Sequence, residues 1–374
     1  MSTATDGSVP VPPTAVQLRA MRLAAQHVGH RGGTPLDVVQ HLHALQGQDL
    51  GQSLWAVGAR ALGMTRADVR AALDRGDFVR SWPMRGTLHV LHADTLRTIL
   101  SLTAERTLRG LTRRARELEI DDALVGRARD ATIAMLQGGR SLGRDDVFAR
   151  WRDAGIDPAG QRGYHLLLHL SQQGLVAWGP TGRVGQELVL LDEWAPATEP
   201  VPDHDEALRR TLVGYLRGRG PATESDAAHW TKLPRGDLRR ARAAAGDTIE
   251  DLGGGLLALA DRPEPDPAQL TRAHLLPGFD EYLLGYADRT GHLAPEHAHR
   301  VVPGANGMFL AMVVHRGQVV GTWRTTERTR DVRITVTPFA ALSGAATRAV
   351  EAAAGHVGRF LDLPVVLQVL DPAT

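Results

Sequence analysis

Three segments combine polar groups with Trp, Gly or Pro in ways that core packing does not require: LQGQD (45–49), SWPMRGTLH (81–89) and LLPGFDEYLLGYADR (275–289). In the first, Gln46 and Gln48 lie two positions apart. On a helix they would point the same way only where the helix ends or kinks, and Gly47 permits such a break. Two glutamines at a helix end are also an ordinary solvated terminus, so spacing alone does not decide between these readings. Histidines recur in pairs, at His41/His43, His165/His169 and His297/His299. His165 and His169 stand at i, i+4 on one helix face, a spacing that can hold a metal ion. No third ligand follows from the sequence, so no metal and no cofactor are expected. The chain has no cysteine, which excludes disulfides, Cys-ligated zinc and a thiol nucleophile. A P-loop, HExxH and GxSxG are absent as well.

The elements that must position these residues follow one pattern three times: a capped helix, a second helix, then a β-hairpin. The first copy opens with a helix from TPLDVVQHLHALQGQDL (34–50), capped by Thr34, with Asp37 in its first turn and Val38, Leu42 and Leu45 as an apolar stripe. LQGQD would then sit at its C-terminal end. A helix over 65–78 follows, capped by Thr65, and then strands within 78–92 joined by a turn at Pro83–Gly86. The second copy has helices at 141–151 and 162–174 and a hairpin at 175–191. The third has helices at 221–230 and 233–246 and a short hairpin at 247–261. Helix, helix, wing is the order of the winged helix-turn-helix, whose second helix commonly enters a DNA groove. A generic α+β chain with helix–hairpin units is the plainer alternative.

The resulting organisation is a disordered polar tail at 1–13, a first winged helix with its linking basic helix at 14–120, a second at 121–200, a third at 201–262 and an α+β region at 263–374. That last region holds a hairpin at 308–324, turning at Arg316–Gly317, and a helix at about 339–355. The fold class expected is α+β, mainly helical.

Composition is that of a folded cytoplasmic protein, with 43% hydrophobic and 23% charged residues. No apolar run approaches the roughly 18 residues of a membrane helix. The formal net charge is only +1, yet Lys232 is the sole lysine among 43 Lys and Arg. Arginine binds phosphate bidentately and stacks on bases, so this bias suits nucleic acid, although a GC-rich genome has the same consequence. The helix at 102–119 carries Arg106, Arg109, Arg113 and Arg114, and the helix at 233–246 carries Arg235, Arg239 and Arg240. Such stripes are candidate phosphate contacts. A solvated helix face is the plain alternative.

SWPMRGTLH, LLPGFDEYLLGYADR and NGMFLAMVVHRGQVVGTWR (306–324) together resemble the winged-helix family of bacterial DNA glycosylases that includes AlkZ-like and YcaQ-like branches. The resemblance runs from about residue 15 to 370. It implies three tandem winged helices around an open basic channel, acting on double-stranded DNA with alkylated purines. It implies removal of N7-alkylguanines, including bulky adducts and interstrand crosslinks, and DNA repair on the nucleoid as self-resistance to a genotoxic natural product. LQGQD falls at the family's catalytic motif, Gln–aliphatic–Gln in the AlkZ-like branch and Gln–aliphatic–Asp in the YcaQ-like branch. Gln46-Gly47-Gln48 sides with the former, with glycine in the aliphatic position. Arg85, Thr87 and His89 become candidates for phosphate or base-edge contacts, unless Trp82, Met84 and Leu88 pack the wing and the polar residues merely face solvent.

The chemistry tolerates amides. Alkylation at N7 makes guanine cationic, so it departs without a proton donor, whereas most glycosidic cleavage pairs a general acid with a carboxylate. What remains is to orient water and to stabilise an oxocarbenium-like sugar, and an amide can hold water through its carbonyl and N–H groups. Asp49 is the next candidate, as a source of negative charge. A crosslinked base is tethered to the opposite strand and cannot flip into a deep pocket, so an open cleft is expected. Three duplex-gripping units in one chain lessen the need for a dimer, and a monomer is expected. The competing readings are a winged-helix transcriptional regulator, which usually needs a two-fold dimer, and a protein that sequesters a toxin in a Trp-lined pocket.

Overall fold

The computed structural model describes residues 10–372 except Arg31, Leu62 and Asn306. The tail expected to be disordered is thus outside the described residues for 1–9. Residues 10–13 pack: Pro10 and Pro12 run so close to Gly253 and Gly254 that a side chain on Gly253 would collide with the Pro10 carbonyl.

Helix α1 (Ala15–Ala25) leads in, started by a capping box between Thr14 and Gln17. The first repeat is α2 (Pro35–His41), β1 (Leu45–Gln46), α3 (Leu50–Gly58), α4 (Arg66–Asp74), β2 (Val79–Met84) and β3 (Thr87–Leu91). The long α5 (Ala93–Glu117) carries the chain onward. The second repeat is α6 (Asp122–Leu136), β4 (Leu142–Gly143), α7 (Arg144–Asp153), α8 (Arg162–Gln172), β5 (Val176–Thr181) and β6 (Gln186–Leu190), closed by the short α9 (Leu191–Trp194). The third is α10 (His204–Arg219), a bridge of Ala222 to Leu257, α11 (Glu224–Thr231), α12 (Arg235–Ala245), β7 (Ile249–Asp251) and β8 (Leu257–Leu259). Helix, short strand, two helices and hairpin thus recur three times in an α+β architecture.

The stretch 34–50, expected to open with a helix that carries LQGQD at its C-terminal end, holds α2 and then the strand β1, and reaches only the first residue of α3. α2 ends at His41, and His43 turns the chain with a left-handed φ of 63°. Leu45 and Gln46 then pair antiparallel with Val90 and His89. Val38, Leu42 and Leu45 are all buried as the stripe required. Periodicity alone cannot tell a continued helix from a turn that keeps the same residues inside.

The first two hairpins belong to one six-stranded sheet, ordered β1-β3-β2-β5-β6-β4 and joined where Arg80 on β2 pairs with Trp178 on β5. The β2–β3 turn is Arg85-Gly86, with φ of 60° and 65°. Two successive positive φ values match the twist of a tight hairpin. Pro83, expected in the turn, lies inside β2 at a register shift between Ser81 and Met84, where a missing N–H is tolerated.

The C-terminal region contains β9 (Ala273–Leu276), α13 (Glu281–Leu284), α14 (Ala298–Val301), β10 (Met312–His315), β11 (Gln318–Glu327), β12 (Val332–Pro338), α15 (Gly344–Leu361) and β13 (Val365–Val369). Its five-stranded sheet runs β13-β12-β11-β10-β9. It has no core of its own: Val38, Leu54, Val69 and Phe78 of the first repeat share one apolar cluster with Leu275, Val313, Ile334 and Phe360. The C-terminal region thus completes the core of the first repeat. A second cluster joins the start of α5 to the third repeat, and a third joins the end of α5 to the second.

Candidate active site

Gln46 ends β1 and is half-buried, whereas Gln48 and Asp49 are exposed. The motif is held from behind through its backbone. Gly47 N–H donates to Leu88 O at 2.6 Å, and Arg80 donates to the carbonyls of Gly47 and Gln48 and, at 2.9 Å, to Gln186 Oε1. Gly47 is packed tightly enough that a Cβ there would stand 3.1–3.2 Å from the backbone of His89 and Val90. Glycine thus permits close approach of two strands, and the missing aliphatic anchor is replaced by backbone bonds.

Gln46 N–H donates at 2.8 Å to Oε1 of Glu281, which is 1% exposed. Glu281 Oε2 accepts from Arg219 Nε and Nη2 at 3.0 and 2.7 Å and from Trp230 Nε1 at 2.8 Å. Arg219 also donates to the carbonyls of Leu42 and Ala44 and lies over the Trp230 ring. Burial would raise the Glu281 carboxyl, but Arg219 above all, then Arg85 and His89, bring it down to about 2. It is an ionised carboxylate in the interior. A buried charge is tolerated only when paired and hydrogen-bonded, and this one is.

The side chains of the motif have their own partners. Arg85 Nη2 donates to Gln46 Oε1 at 3.1 Å and to His89 Nε2 at 2.7 Å, and His89 Nδ1 bonds Thr87 O at 2.9 Å. Leu88 N–H donates to Gln48 Oε1 at 3.3 Å. Burial, then the neighbouring Arg85, lowers His89 to about 3, so its imidazole is neutral. Asp49 caps α3, accepting from Gln52 N–H at 2.9 Å, and its backbone carbonyl accepts from Ser53.

Of the residues expected to touch DNA on this hairpin, His89 is fully buried and has no surface to offer. The free surface does not support that expectation: the ring is enclosed, with Nε2 on Arg85 and Nδ1 on the Thr87 carbonyl. Arg85 and Thr87 are half-buried, and the Thr87 hydroxyl has no partner among the described residues. On α5, Arg106 bonds Lys232 O at 2.7 Å, Arg109 faces Glu105, and Arg113 and Arg114 share Glu117, all on exposed or partly exposed side chains. On α12, Arg235, Arg239 and Arg240 are exposed, with Arg240 bonded to Asp205. Among the described residues no cluster of three or more His, Asp or Glu could hold a metal. None of the helices there is long and apolar enough to cross a membrane.

Sequence reasoning missed Arg80, Arg219 and Glu281 as the frame of the motif. Glu281 carried a signal, because two adjacent carboxylates in the apolar run GFDEYLL must be paired if buried. Asp280 indeed pairs bidentately with the buried Arg60. Nothing in the sequence singles out Arg80 or Arg219 from the other arginines.

The interstrand DNA cross-link repair glycosylase of Streptomyces sahachiroi is 28% identical over 338 residues, spanning 86% of this chain and 90% of that protein. The solved structure of Streptomyces sahachiroi DNA glycosylase AlkZ shares the fold, with a TM-score of 0.79 at 24% identity, covering 96% of this chain and 100% of that one. A model of the DNA glycosylase AlkZ-like family matches residues 39–360. The protein is therefore an enzyme, a DNA glycosylase. It belongs to the DNA glycosylase AlkZ-like family. The regulator and toxin-sequestering readings no longer serve as complete accounts.

Proposed function

We propose that this enzyme hydrolyses the N-glycosidic bond of N7-alkylguanine in duplex DNA, including guanines tied into interstrand crosslinks, and that Gln46 and Gln48 position the attacking water. The observation that carries the reading is the motif itself: two amides on a strand end, exposed or half-exposed, on a backbone pinned by Arg80 and Glu281. Rigid support behind a small polar pair is what positioning requires. Water adds to C1′ as the N9–C1′ bond breaks. The bond pair stays on the base and neutralises its positive charge, and the spare proton of the water passes to solvent. Neither a general acid nor a metal is needed.

The three repeats act as winged helices gripping the duplex, and the exposed arginines of α5 and α12 face phosphate. The relative that repairs interstrand crosslinks supports the crosslink as substrate class, and so does placement of the motif at a surface strand end rather than in a deep pocket. The enzyme works as a monomer, since one chain already carries three duplex-binding units.

Single-turnover base release from a duplex containing N7-methylguanine tests this. Gln46→Ala and Gln48→Ala should each slow release roughly 10- to 1000-fold while binding stays nearly unchanged, the scale for losing a positioning group. The double variant should be far from additive if both hold one water. Gln48→Asp, the YcaQ-like form, should keep substantial activity. Wild-type rates in both alanine variants would remove the reading.

A further inference from the structure

A chain of hydrogen bonds runs from the β2–β3 turn to the motif, and its polarity is set by chemistry. The Thr87 carbonyl can only accept, so His89 Nδ1 carries the proton of their 2.9 Å bond. His89 Nε2 is then the acceptor in its 2.7 Å contact with Arg85. A guanidinium can only donate, so the group on Gln46 that meets Arg85 Nη2 at 3.1 Å must be the carbonyl oxygen. The N–H2 of Gln46 faces away from Arg85. Gln48 is under the same constraint: Leu88 N–H is donor-only, so Oε1 is its partner at 3.3 Å.

The arrangement around Arg85 is costly to build. Its backbone sits in the left-handed region, with φ of 60°, a conformation that favours glycine. Burial lowers its basicity, opposed by the nearby Glu281. A half-buried cation on a left-handed backbone that bonds a side chain of the candidate site points to a function for that contact. The sequence suggested a DNA contact for Arg85. The geometry turns it inward.

We infer that Arg85 is a positioning residue that locks the Gln46 amide carbonyl-inward, so that Gln46 meets the water or substrate oxygen as a hydrogen-bond donor rather than as an acceptor. This rests on the proposed role of Gln46 and assigns the orientation in which that role is performed. Arg85 acts through Gln46 and touches neither sugar nor base.

Gln46→Glu separates the two faces of the amide. A carboxylate keeps the acceptor for Arg85 and lacks the outward N–H. It should therefore be about as slow in single-turnover base release as Gln46→Ala. Arg85→Ala should lower the saturating rate roughly 10- to 100-fold with the half-saturating enzyme concentration changed less than about twofold, and Arg85→Lys should restore part of the loss. In a Gln46→Ala background, Arg85→Ala should add nothing further. Thermal melts accompany each variant, and Gln46→Glu keeps the question open to test if Arg85→Ala does not fold, because it leaves Arg85 in place. A wild-type rate in Gln46→Glu, or an Arg85→Ala variant that loses duplex affinity at an unchanged saturating rate, overturns the inference. If Gln46→Ala is itself unimpaired, the reading of Gln46 fails and this role of Arg85 fails with it. If Gln46→Ala is slow but Gln46→Glu and Arg85→Ala are fast, only the role of Arg85 fails.

Discussion

Asp49 holds the first turn of α3 through the Gln52 N–H, and an N-cap constrains how a carboxylate can be tested. Asparagine caps as well as aspartate but carries no charge. Asp49→Asn should leave the melting temperature and the rate of base release close to wild type, whereas Asp49→Ala should cost about 1 kcal/mol of stability through the lost cap. If Asp49→Asn instead abolished base release at unchanged stability, the carboxylate and not the glutamines would be the working group. Gly47 gives a second residue-scale expectation. A methyl there must push β1 a few tenths of an ångström from β3, so Gly47→Ala should slow base release without weakening duplex binding, as paired kinetics and binding curves would show.

α5 is the element that connects the repeats. Its apolar face runs from Leu96 through Leu102 into the core of the third repeat, and Ala115 packs with the second. Its other face carries the arginines. Arg113 is 93% exposed and shares Glu117 with Arg114. Exposed pairs of this kind contribute little to stability. Arg113→Ala and Arg114→Ala should therefore leave the melting temperature almost unchanged while each weakens binding to any duplex by roughly 1 kcal/mol, if both touch phosphate. Affinity for undamaged duplex should fall steeply as salt rises, because phosphate contacts release counterions. A flat plot of log affinity against log salt would put the DNA on another face.

At the scale of the molecule, the interior holds imidazoles that cannot charge. Burial lowers His43, His89 and His292 to about 3 and His274 to about 4. Their folded values lie below the unfolded value near 6.5, so the unfolded chain binds more protons between the two. Stability is complete above about pH 6.5 and is lost as pH falls through that window, by up to about 1.4 kcal/mol per pH unit for each histidine. Glu281, held at about 2, adds to the loss below its unfolded value near 4.5, because the unfolded chain takes up a proton that the folded one refuses. Melting temperatures measured from pH 8 to pH 4 should stay level and then drop with increasing steepness below about 6.5. A flat profile through pH 5 would mean that these histidines are not held neutral.

What could be read along the chain was whatever local physics decides. The helix starts at Thr65 and Thr223 follow from capping residues, the hairpin turn at Arg316–Gly317 from its turn chemistry, and the triple recurrence from spacing. The motif Gln46-Gly47-Gln48 could be located, but its frame could not. A strand of two residues leaves no periodic signal, and β1 exists because β3, more than 40 residues further on, offers it an edge. Arg80, Arg219 and Glu281 became the support of Gln46 only when residues from β2, α10 and α13 met in one interior. The same is true of the inward turn of His89. A charged side chain gains a buried partner only through contacts distant in sequence, and those contacts decide which of many arginines hold the site and which are left to face solvent.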